Sequence, residues 1–90
     1  MTQAQTVMNT LSNAQFRFIQ SELGFDSEAI RGMSDNAVDD MYDKLCDIEI
    51  AETIESENRN GAYSERERMV ESIVTAIGNA LYRPDDESSD

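Results

Sequence analysis

Nine carboxylates crowd the stretch from Asp35 to Glu57, against a single basic residue, Lys44. Asp35, Asp39, Asp43 and Asp47 recur every four residues, with Asp40, Glu49, Glu52, Glu55 and Glu57 among and after them. On a helix that spacing stacks side chains along one side, where like charges repel by roughly 0.2–0.5 kcal/mol per pair. A chain that keeps such a row must solvate it or offer it to a basic partner. Carboxylates in groups can also do acid–base work or hold a divalent cation. Asp26-Ser27-Glu28 begins like a calcium loop, but Ile30 takes the next ligand position and no closing pattern follows. Asp39, Asp40 and Asp43 offer a weak cation site at best, and a solvated face is the simpler expectation.

The other equipment of catalysis is sparse. Histidine is absent, which removes the commonest general base and the commonest transition-metal ligand. Cys46 stands alone, so it builds no zinc cluster and no internal disulfide. Its neighbours Leu45 and Asp47 bring no cation to lower the thiol pKa. The glycines at 24, 32, 61 and 78 are scattered, so none forms a phosphate-cradling loop. The expectation is a protein that is not an enzyme, with no cofactor and no metal.

Charge narrows the partners. A net charge of −12 disfavours nucleic-acid phosphates and anionic lipid as direct ligands and favours basic protein surfaces. No apolar run approaches the ~20 residues that span a membrane. The first ten residues lack the basic start and apolar stretch of a secretory signal, and with the lone cysteine this points to the cytoplasm.

The elements that would position the acidic row are marked by capping signals. Leu11-Ser12-Asn13-Ala14-Gln15-Phe16 combines a Ser-x-x-Gln box with apolar residues placed to staple it. Asp26 and Ser34 open similar units, Ser64-Glu65-Arg66-Glu67 is a further box, and Pro84 stops the last helix. The pattern predicts helices at about 13–23, 27–32, 35–56 and 65–82, joined by short loops. The expected fold is therefore all-α, a compact bundle of three to four helices with a long acidic third helix. Residues 1–10 are expected as a loose N-terminus, 11–83 as the helical domain and 84–90 as a disordered acidic tail. With hydrophobic residues at 39% and charged at 29%, the chain has enough apolar content to fold.

Phe16, Ile19, Leu23, Phe25, Ile30, Leu45, Ile48, Ile73, Ile77 and Leu81 form the expected core. Val38 and Met41 share the stripe of Leu45 and Ile48, which then shifts to Ile50 and Ile54, so a bend or fraying after Ile48 is expected. Residues 69–81 carry an apolar arc broad enough to be wedged between neighbours. Its breadth also leaves room for a homodimer. Gly78 within it lowers helix propensity by about 1 kcal/mol, which points to close packing against another helix. Tyr42, Tyr63 and Tyr82 are candidate contacts, since tyrosine is favoured at interfaces.

Two likenesses follow from these residues. Phe18-Ile19-x-x-x-Leu23-Gly24-Phe25, a short helix and then Ala37-Val38 resemble the three-helix ubiquitin-associated-type domain over residues 14–46. By size, acidic helix and the phrase Tyr42-Asp43-Lys44-Leu45-Cys46-Asp47-Ile48-Glu49, the whole chain resembles small acidic proteins of bacteria and prophages, of the anti-CRISPR and anti-restriction type. That second likeness implies a stoichiometric inhibitor. The charge pattern leaves two roles open. In one, Asp35, Asp39, Asp40, Asp43, Asp47, Glu49 and Glu52 engage a basic partner, such as the nucleic-acid-binding groove of a host protein. In the other, the chain is an adaptor that binds through Tyr63, Tyr82 or the apolar edge at 50–54, and the acidic face only solvates it.

Overall fold

Each of the five helices opens on a side-chain oxygen that takes up a backbone N–H of the first turn. In a computed structural model, which describes residues 2–58, 60–61 and 64–82, they are α1 (Gln3–Thr10), α2 (Asn13–Leu23), α3 (Ser27–Arg31), α4 (Asp35–Asn58) and α5 (Glu65–Leu81). Thr2 accepts from the Gln5 amide at 3.1 Å and Ser12 from that of Gln15 at 3.3 Å, and both glutamines return a bond to the cap amide. Asp26 accepts from Ala29 at 2.8 Å, Ser34 from Ala37 at 3.2 Å and Ser64 from Glu67 at 3.0 Å. Such a cap contributes about 1 kcal/mol.

The fold is an all-α bundle, with no strand among the described residues. The described residues form five helices where three to four were expected, so the long acidic helix is fourth in order, not third. The added element is α1, in place of the loose N-terminus expected over residues 1–10. Ala4 and Val7, three residues apart, give this short helix an apolar face, and both are buried together with Leu11 at its C-cap. Docked against α3, α4 and α5, α1 is held by tertiary packing. The tail expected at 84–90 lies outside the described residues.

α5 occupies the middle of the bundle, in contact with α1, α2 and α4. Val70, Ile73 and Ile77 on it are fully buried, together with Ile19, Ile30, Val38, Met41 and Leu45. Phe16, Leu23, Phe25, Ile48 and Leu81 pack partly buried around them. Burying an aliphatic side chain of this size contributes about 1.5–3 kcal/mol. α4 and α5 form an antiparallel hairpin whose turn uses left-handed backbone at Asn60 (φ 61°) and Gly61 (φ 82°). The Gly61 amide donates to the Ser56 carbonyl at 2.8 Å, tying the turn to the end of α4.

The fraying expected after Ile48 does not occur. α4 is one helix of 24 residues, about 36 Å long. Its apolar stripe leaves the core while the backbone stays helical, so Ile50 and Ile54 stand out in solvent.

Candidate functional site

α4 is two-sided along its whole length. Val38, Met41 and Leu45 point into the core with no exposed surface, while Asp39, Asp40, Asp43 and Asp47 lie on the exposed side. The four-residue row foreseen from sequence is thus a physical row on a continuous helix. It is not uniformly free. Asp35, at the start of α4, accepts from the backbone amide of Gln3 at 3.4 Å, which links it to the first residue of α1. Asp39 accepts the hydroxyl proton of Tyr82. Asp40, Asp43 and Asp47 form no ion pair with any described Lys or Arg.

Tyr82 lies against Tyr42, ring centroids 4.7 Å apart and planes inclined at 40°. With Asp39 and Asp43 the two rings line a shallow recess at one end of the α4–α5 hairpin. Burial, then the hydrogen bond and charge of Asp39, push the Tyr82 hydroxyl pKa well above the ordinary tyrosine value. Tyr42 is raised too, chiefly by burial. Tyr63 lies outside the described residues.

At the other end of the hairpin Arg66 joins three helices. Its Nε donates to Glu52 on α4 at 2.8 Å and its Nη1 to Glu22 on α2, while the guanidinium lies 5.8 Å from the centroid of Phe18. Ser64 adds a longer bond to Glu52 at 3.4 Å. Glu52, placed in the acidic set by composition alone, is therefore turned inward: its side chain is 15% exposed and bound to Arg66. Glu49 is also half-buried on the α5 side. Burial first, and then the charge of Glu71, push its carboxyl above the ordinary range.

Glu67 does not complete the box that Ser64 opens. The Ser64 oxygen takes the Glu67 amide, but the Glu67 side chain is 3% exposed and its Oε1 has no hydrogen-bond partner. Asp26, the first residue of the supposed calcium loop, is instead the cap of α3. Cys46 is half-buried; burial first, and the charges of Glu49, Asp43 and Asp47 after it, push its pKa up against an opposing hydrogen bond with Tyr42. Its thiol stays protonated near neutral pH. Among the described residues no group of three or more Cys, Asp or Glu converges to hold a metal, and no helix is long and apolar enough to cross a membrane.

The apolar end of the face was only partly legible. Ile50 and Ile54 are 58% and 54% exposed, the largest exposures among the described large hydrophobic side chains. They continue the side of α4 that carries Asp43 and Asp47. Comparison with protein-family models, curated proteins and solved structures returned no match.

Proposed function

We propose that this chain is a non-enzymatic, cytoplasmic interaction module that binds a basic protein surface with the outward side of α4. The observation that carries it is the trio Asp40, Asp43 and Asp47, exposed on a rigid helix with no described cation paired to them. Carboxylates held on a packed helix keep their spacing, so a partner's lysines or arginines meet charges already in place. Asp39 supports the row from its edge while holding Tyr82. Glu52 is taken up by Arg66 of α5, and Glu49 is half-buried beside Glu71, so neither belongs to the outward row.

A protein of this kind acts by occupancy, as an inhibitor or adaptor, and a phage-type inhibitor is one setting for it. The carboxylates from Asp39 to Asp47 span only about 12 Å before isoleucines take over the face. That supports a compact contact of mixed character over one that tracks a long phosphate-binding groove.

The test uses a lysine-rich helical peptide of about 20 residues as probe. Binding to the native chain should weaken as salt rises from about 0.05 to about 0.5 M. It should fall roughly tenfold or more in Asp40→Asn/Asp43→Asn/Asp47→Asn, since close interfacial charge pairs are each worth about 1.5 kcal/mol or more. Equal binding by that variant would remove the charged face from the function.

A further inference from the structure

Seven exposed positions on α4 follow a strict alternation of four and three residues: Asn36, Asp40, Asp43, Asp47, Ile50, Ile54 and Glu57. That spacing averages 3.5 residues, the repeat that keeps one seam of a helix turned toward a second helix. The opposite side of α4 uses the same device inside the molecule, where Val38, Met41, Leu45 and Ile48 alternate three, four and three. The inner seam is filled by the bundle. The outer one, about 26 Å from Asp40 to Glu57, is covered by none of the described residues.

We infer that this outer seam docks a helix from a partner protein, with apolar residues against Ile50 and Ile54 and lysine or arginine against Asp40, Asp43 and Asp47. The inference rests on the basic-partner role proposed above and specifies the partner's chemistry and shape. Ile50 and Ile54 form adjacent turns of the seam, and both are more than half exposed. An apolar pair left in water at seam positions is stabilised when a facing helix covers it.

Charge selects the occupant. A second copy packed antiparallel with its isoleucines on Ile50 and Ile54 would bring Asp47 to the level of Glu57, and each copy carries −12. Like charges opposed across a seam are destabilising, whereas a basic helix neutralises them.

The probes are two helical peptides of about 20 residues. Both carry lysines at four- and three-residue spacing; one continues the seam with a pair of leucines, and the other has glutamine at those places. Anisotropy of the labelled peptides measures affinity for the native chain, for Ile50→Ser/Ile54→Ser and for Asp43→Asn/Asp47→Asn, after circular dichroism shows each variant helical. The leucine peptide should bind the native chain at least about tenfold more tightly than the glutamine peptide. The isoleucine variant should lose that difference while binding the glutamine peptide as the native chain does.

Equal binding of the two peptides by the native chain would overturn the helix-docking inference and leave the basic-partner role standing. Binding of neither, or undiminished binding by the aspartate variant, would overturn both. Self-association of the native chain in sedimentation, abolished by Ile50→Ser/Ile54→Ser, would give the seam to a second copy and also overturn the inference.

Discussion

The hydroxyl of Tyr42 stands 3.1 Å from the point where a Cβ on Gly78 would project. The glycine in the last turn of α5 is thus explained by a ring on α4, and the two helices approach as closely as they do because residue 78 has no side chain. Alanine there gains about 1 kcal/mol of helix propensity but presses on the hydroxyl. The expected outcome is a near-neutral Gly78→Ala in the native background and a gain of about 1 kcal/mol when Tyr42→Phe removes the obstacle. Urea denaturation of the double-mutant cycle measures the coupling. An identical effect of Gly78→Ala in both backgrounds would show that the contact does not set the packing.

Tyr82 should fasten the end of α5 to α4. Removing its hydroxyl in Tyr82→Phe takes the donor from Asp39 and should lower stability by about 1 kcal/mol at neutral pH. Tyr42 and Tyr82 are both raised from 10.0, so the folded state holds these protons more tightly than the unfolded chain. Their contribution is complete below pH 10 and is lost as pH rises above it, because the unfolded chain ionises first. Tyr82→Phe should therefore flatten the alkaline decline in a stability–pH profile. A decline of unchanged steepness would place the titrating group elsewhere.

Glu49 gives the opposite end of the pH scale. Its carboxyl is raised above the ordinary value by burial and by Glu71, so the proton favours the folded state. The associated stability is present at pH below the unfolded value of 4.5 and is lost as pH rises through the raised one. Glu49→Gln should stabilise the protein at pH 7 and lose that advantage at about pH 3, where glutamate is protonated in both states. Denaturation midpoints at the two pH values decide it; a benefit of equal size at both would rule out the charge as its cause.

Val7 tests whether α1 belongs to the bundle. Its side chain is 1% exposed among the core residues, so Val7→Ala should cost about 2 kcal/mol. A change within about 0.5 kcal/mol, the range of ordinary surface substitutions, would mean that the N-terminal helix adds little to the fold.

Most of this architecture is written in local signals. Ser12, Asp26, Ser34 and Ser64 mark four helix starts because a cap and its partner lie three residues apart, well within the range sequence can show. Thr2 and Gln5 carry the same signature, but α1 was obscured by its polar composition: of its eight residues only Ala4 and Val7 are fully buried, with Met8 packed partly buried beside them. The close-packing role of Gly78 was legible, whereas its partner Tyr42, 36 residues earlier, depends on the hairpin register. Arg66 was opaque for the same reason, since Glu22 is 44 residues away. The acidic row divided as it did because rotation along α4 turns Glu49 and Glu52 toward α5 and leaves Asp40, Asp43 and Asp47 outside. Charge counts alone carry no such division.

The central claim, that the outward aspartates of α4 serve a basic partner and not the fold, is tested most directly by measuring stability and peptide binding on one variant. Asp40→Asn/Asp43→Asn/Asp47→Asn keeps side-chain size and relieves like-charge pairs at three- and four-residue spacing. It should therefore unfold at slightly higher urea, a gain of up to about 1 kcal/mol, while losing affinity for the lysine-rich peptide by roughly tenfold or more. Lower stability, or unchanged peptide affinity, would contradict the account.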